Sequence, residues 1–148
     1  MKKNEMNITF SSVSQNESFA RTVIAAFCLP LSPSLEEISD IKTAVSEAVT
    51  NVVVHSGAPT VKMKATLTGN DLCVEISDTG VGIPDIEKAR EPFFSTKPED
   101  ERSGMGFTVM ESFMDSVEVL ENHPHGVVVR MKKKLGEVTE HALLRRYN

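Results

Sequence analysis

Val61-Lys62-Met63-Lys64-Ala65-Thr66-Leu67-Thr68-Gly69-Asn70-Asp71-Leu72-Cys73-Val74-Glu75-Ile76-Ser77-Asp78 is the stretch on which the fold turns. Val61, Met63, Ala65 and Leu67 alternate with Lys62, Lys64 and Thr66, a period of two that marks a strand with one face buried. Leu72, Val74 and Ile76 repeat the pattern beyond Gly69-Asn70-Asp71. That turn predicts two strands paired antiparallel. Asp78 closes the second strand, and Thr79-Gly80-Val81-Gly82 follows it.

Upstream the period becomes that of a helix. Ser34-Leu35-Glu36-Glu37 has the Ser-x-x-Glu form of a capping box. Ile38, Ile41, Val45, Val49 and Val52 follow as an apolar stripe on a helix reaching His55, and Gly57-Ala58-Pro59 makes the turn after it. Ser14-Gln15-Asn16-Glu17 is a second capping box by the same rule, with Phe19, Val23, Ala26 and Phe27 at helical spacing until Pro30 and Pro33. Residues 6–10 read as a first short strand. Downstream, Pro92, Pro98 and Glu99-Asp100-Glu101-Arg102 keep residues 91–104 irregular, and so long a loop in a compact domain is usually functional or mobile. Phe107, Met110, Phe113 and Met114 mark another helix, residues 117–120 and 127–131 a closing hairpin, and 137–146 a small helix in the tail.

This order predicts one domain over residues 1–148, with a lid loop at about 91–106 and a tail at about 136–148. Helices and strands come in pairs rather than in strict alternation. The expected fold is therefore an α/β (α+β) two-layer sandwich, with helices on one face of a mixed, mostly antiparallel sheet.

The chain has 148 residues and a net charge of −5, with its acids spread throughout, which speaks against a nucleic-acid binder needing a basic face. Lys132-Lys133-Lys134 and Arg145-Arg146 are local exceptions, read as a solvated strand end and tail. No run approaches the roughly 18 apolar residues of a membrane span. Met1-Lys2-Lys3-Asn4-Glu5 opens no apolar signal region. A cytoplasmic location away from membranes is expected. Cys28 and Cys73 lack metal-type spacing and read as reduced, buried thiols.

Three segments carry chemistry. Glu47 and Asn51 lie four apart on one helix, and His55 extends the row. By helical rotation Glu47 lies opposite the apolar stripe and Asn51 to its side. The amide oxygen of Asn51 is a hard, neutral ligand suited to a Mg²⁺ ion already shared with phosphates. Glu47 is placed to orient a water or to accept a proton from an attacking hydroxyl. Asp78 is an acceptor only, so it suits the 6-amino group of adenine and repels the carbonyl that guanine carries there. Gly80 and Gly82 are read as positions where the backbone takes positive φ and approaches the base. Gly104-Met105-Gly106 opens a helix, whose free amides favour an anion. Ser95-Thr96-Lys97 adds hydroxyls and a point charge in reach of a terminal phosphate. Taken singly, each has an ordinary alternative: a solvated helix face, an Asp-Gly turn, a flexible linker. Together and in this order they describe a pocket for ATP and Mg²⁺, and the Walker A pattern is absent.

The order of these segments resembles that of the GHKL ATPase/kinase family. Ser14-Gln15-Asn16-Glu17-Ser18-Phe19-Ala20-Arg21, Val45-Ser46-Glu47-Ala48-Val49-Thr50-Asn51, Ser95-Thr96-Lys97-Pro98-Glu99 and Glu101-Arg102-Ser103-Gly104-Met105-Gly106-Phe107 are similar to its small stand-alone anti-sigma serine kinases of sporulation. The likeness covers roughly residues 4–135; Ser56-Gly57-Ala58-Pro59 is shorter than the corresponding family loop. The resemblance implies a Bergerat-type fold that dimerises and binds ATP with Mg²⁺. It implies sequestration of a sigma factor of the sigma-F type and phosphorylation of an anti-anti-sigma protein on serine. Carried over by motif, Asn51 would hold Mg²⁺ and Glu47 would be the base. Asp78 would read adenine, Gly80, Gly82, Gly104, Met105 and Gly106 would shape the pocket, and Thr96 and Lys97 would close over the phosphates. Arg21 would lie on the surface that meets both partners. The rival expectation is an ATP-gated sigma-binding module with little turnover, in which Glu47 only positions water.

Overall fold

The computed structural model describes residues 2–91 and 106–136. β1 (Lys3–Ser11) leads into α1 (Gln15–Cys28), and a 3-10 turn (Leu29–Leu31) connects it to α2 (Leu35–Asn51). A π-turn (Val52–Ser56) then opens into β2 (Thr60–Thr68) and β3 (Asp71–Ser77). The short α3 (Ile86–Ala89), α4 (Gly106–Phe113), β4 (Ser116–Glu121) and β5 (Val127–Lys134) complete the order.

The strands make a five-stranded sheet in the order β1-β2-β3-β5-β4. Each neighbouring pair is antiparallel, so the described sheet is antiparallel throughout rather than mixed. The alternation read in the sequence sets the register. Met63 faces Ile76, Ala65 faces Val74 and Leu67 faces Leu72. Val74 and Ile76 in turn face Met131 and Val129. All of these side chains are buried; α1 and α2 add Ala20, Ile24, Cys28, Ile41, Ala44, Val45, Ala48 and Val49 to the core, and α4 adds Phe107 and Met110. Each fully buried Val, Leu or Ile is worth about 1.5–3 kcal/mol, enough to forbid a one-residue slip that would turn the whole row outward. On the opposite face the strands carry ion pairs instead: Arg130 lies 3.1 Å from Glu75 and 3.7 Å from Glu118.

Several expectations need correction. Ser34 is extended and forms the full capping box with Glu37, its hydroxyl accepting at 3.0 Å and its own amide donating at 2.9 Å. Ser14, by contrast, has helical backbone angles and makes no side-chain cap. The carboxylate of Glu17 accepts the Thr50 hydroxyl on α2 instead. The buried face of α1 is Ala20, Ile24 and Cys28, while Phe19 is 44% exposed. Small residues allow the helix to approach the layer beneath closely, and Phe19 lies edge-on to Phe10 with centroids 5.8 Å apart. The long helix does not reach His55 as an α-helix, since it widens into the π-turn after Asn51.

Lys133 is not a solvated charge. Its Nζ donates to the Phe113 carbonyl at 2.7 Å and so satisfies an end group of α4. Cys28 is fully buried, and burial pushes its thiol up to about 12. Cys73 is only half-buried and lies on the outer face of the sheet. Among the described residues no helix is long and apolar enough to cross a membrane. Residues 92–105, which hold most of the expected lid, and 137–148, which hold the expected tail helix and Arg145-Arg146, lie outside the described residues.

Candidate functional site

Strand periodicity places Asp78 on the side of the sheet that faces the helices, one step beyond Leu72, Val74 and Ile76. It is 6% exposed. Its Oδ1 accepts the Gly80 amide at 2.8 Å, and its own amide donates to the Val127 carbonyl at 3.0 Å. Burial pushes the carboxyl above the ordinary aspartate value, and backbone hydrogen bonds at Gly80 and Val127 act against that rise.

The glycines of this loop serve different ends. Gly82 takes φ +78°, as expected. Gly80 needs no positive φ; it is glycine because a Cβ would stand 2.1 Å from the Ser56 carbonyl oxygen. Val81 donates to that same oxygen at 2.8 Å. The Asp78 loop is therefore tied to the π-turn that directly follows Asn51.

Glu47 and Asn51 are half-buried rather than solvated, because α4 begins against them. A Cβ on Gly106 would lie 3.3 Å from Asn51 Oδ1 and 3.4 Å from Glu47 Oε2. The absent side chain leaves space in front of both polar groups. The first amides of a helix lack intrahelical partners, so the start of α4 also offers donors to an anion. An amide oxygen, a carboxylate and helix-end donors form a set that fits a hydrated magnesium–phosphate group. Arg21 on α1 donates from Nη1 to the Ser46 hydroxyl at 2.9 Å, one residue before Glu47, and is half-buried.

Glu47, Asn51, Gly106, Asp78, Gly80 and Gly82 are thus joined through α2, its π-turn and the start of α4. Thr96, Lys97, Gly104 and Met105 lie outside the described residues. Two supporting residues escaped the sequence reading. Ser56 holds the Gly80 approach, its hydroxyl donating to the Val52 carbonyl at 2.8 Å. Gly126, with φ +112°, presses so closely that a Cβ would fall 2.0 Å from the Asp78 carbonyl oxygen. Gly126 follows Pro124-His125 in a turn, which marks a turn glycine, but nothing local names a partner 48 residues earlier in the chain.

Comparison with known proteins finds relatives over most of the chain. The family described as the histidine kinase-like ATPase domain matches residues 11–133. The anti-sigma F factor of Thermoanaerobacter sp. (strain X514) is 54% identical over 136 residues, covering 90% of this chain and 95% of that protein. The anti-sigma F factor of Bacillus licheniformis is 50% identical over 139 residues, covering 91% and 95%. Among solved structures, the RsbU and RsbW domains of a Mycobacterium tuberculosis protein superpose with a TM-score of 0.65 at 16% identity, over 89% of this chain and 32% of that one. The catalytic domain of the histidine kinase ThkA gives 0.55 at 15% identity, over 91% and 99%. At such identities the structural likeness speaks for the fold alone.

Proposed function

Because the chain belongs to the histidine kinase-like ATPase (GHKL) family, in the branch of the anti-sigma F factors, we propose that it is an ATP-dependent anti-sigma factor and protein serine kinase. It sequesters a sigma factor of the sigma-F type and phosphorylates an anti-anti-sigma protein on serine, working as a cytoplasmic homodimer of single-domain chains. The observation that carries the reading is the convergence of Glu47 and Asn51 with Gly106, tied through Ser56 to the buried Asp78.

In this reading each residue has a role. Asp78 accepts a hydrogen bond from the adenine amino group, Gly82 gives the loop its positive φ, and Gly80 lets the loop close on Ser56 beside the base. Asn51 presents its amide oxygen to the metal. Mg²⁺, when bound with ATP, neutralises charge on the phosphates. Glu47 accepts the proton of the incoming serine hydroxyl at a carboxylate oxygen. Gly106 leaves the space before Asn51 and Glu47 free of a side chain, and Gly104, Met105, Thr96 and Lys97, which lie outside the described residues, are assigned to the phosphates by motif alone. Phosphoryl transfer asks little covalent work of a protein, so alignment of hydroxyl and phosphate supplies most of the effect, on the order of 7–11 kcal/mol.

Incubation with γ-labelled ATP, Mg²⁺ and an anti-anti-sigma protein, followed by phosphoamino-acid analysis, tests this directly. Label on serine is expected. Glu47→Gln should lower the rate by about 10²–10⁴-fold while ATP and sigma-factor binding persist. An unchanged rate removes the base role from Glu47. A wild-type chain that binds ATP and the sigma factor but transfers no label is instead an ATP-gated sequestering module.

A further inference from the structure

The side chain of Asp78 is placed only as well as its backbone, and that backbone is held by a turn far away in sequence. The Asp78 carbonyl accepts from Asn122 Nδ2 at 2.8 Å. Two residues on, the Gly80 carbonyl meets His125 Nδ1 at 3.2 Å, a bond in which the ring donates, since a carbonyl only accepts. Asn122 is itself fixed. Its amide donates to the Gly126 carbonyl at 3.0 Å, and its Oδ1 accepts from the His123 amide at 3.1 Å. The tight approach of Gly126 brings the turn onto the loop. These contacts lie past the last register pair of β3 with β5, Ser77 with Val128, so the sheet ladder does not require them.

We infer that Asn122 and His125 are positioning residues for adenine recognition. They hold the carbonyls on either side of Thr79, while Ser56 holds the Val81 amide from the opposite side. The peptide planes around Thr79 and Gly80 are thereby fixed between the β4–β5 turn and the π-turn that follows α2. A carboxylate distinguishes an amino group from a carbonyl only when its oxygens are held to within about 0.5 Å of the productive place. The two side chains supply that restraint without touching the nucleotide. This inference deepens the ATP reading above and rests on it.

Calorimetric titration with Mg-ATP and Mg-GTP provides the test, using the full chain, Asn122→Ala, His125→Ala, and each of these combined with Asp78→Asn. Each single change should raise the Kd for ATP about three- to tenfold, the range a lost hydrogen bond allows. The preference for ATP over GTP should narrow in step. In the Asp78→Asn background the Asn122→Ala effect should shrink to less than about twofold, because residues that act through one group are not additive. His125 is exposed, so His125→Ala keeps the experiment informative if Asn122→Ala folds poorly. Unchanged affinity and selectivity in the single variants would overturn the inference alone. So would a penalty of full size on the Asp78→Asn background, which marks a purely structural role. Failure of the wild-type chain to bind ATP would instead remove the ATP reading and this inference together.

Discussion

Asp78 answers to two opposed demands. A carboxylate at 6% exposure costs the fold free energy whenever it is ionised. Burial raises its proton affinity, so the folded chain binds that proton more tightly than the unfolded chain. The stability of the fold is then greatest below the unfolded carboxylate value, falls as pH rises through the window up to the raised folded value, and is level above it. Asp78→Asn abolishes the ionisation, and its amide oxygen can still accept the Gly80 amide. Without nucleotide, the variant should melt higher than wild type at neutral pH, with the difference closing below about pH 4. Thermal melts across pH check this; a variant that melts no higher would mean the carboxylate is fully compensated where it sits. The same change should weaken ATP binding by about 1–3 kcal/mol, because a pure acceptor becomes a mixed group. Titration calorimetry reads that loss.

At the scale of elements, α1 and α2 are joined by two polar rungs. Glu17 and Arg21 are four apart on α1, Ser46 and Thr50 four apart on α2, and they pair crosswise. Each α2 partner immediately precedes a residue of the site, Glu47 or Asn51, so the packing of the two helices sets how that row faces α4. Thr50 is 3% exposed. Thr50→Val keeps the volume and removes the hydroxyl, and it should cost about 0.5–1.5 kcal/mol in chemical denaturation. An unchanged midpoint would show that the rung adds nothing. The same pair of helices shows why like sequences diverge. Ser14-Gln15-Asn16-Glu17 and Ser34-Leu35-Glu36-Glu37 share a signature, yet only the second forms its box. The carboxylate of Glu17 is taken by a residue 33 positions away.

Across the whole molecule, the insertion of β5 between β3 and β4 carries the Asn122–Gly126 turn to the end of β3, where Asp78 sits. The helix layer does the same for the other half of the site and places Arg21 beside it. Arg21→Glu removes the hydrogen bond to Ser46 and reverses a charge on α1. It should weaken sigma-factor and anti-anti-sigma binding by about tenfold or more, on the order of 1.4 kcal/mol, while ATP affinity is retained. Parallel titrations with partner and nucleotide check it; a matching loss of ATP affinity would assign Arg21 to the alignment of α2 instead of a partner surface. Local pattern by itself determined the strands and their inward faces, the hairpin at Gly69-Asn70, the start of α2 at Ser34, and the side of the sheet on which Asp78 emerges. Each depends on a period or a cap spanning a few neighbouring residues, where the chain carries its own instruction. Tertiary structure alone decided that Phe19 points outward, that α2 widens after Asn51, that Gly80 is glycine for the sake of Ser56, and that Gly126 presses on Asp78. Those outcomes depend on atoms brought together from distant positions, and steric contact between remote backbones leaves no period in the sequence.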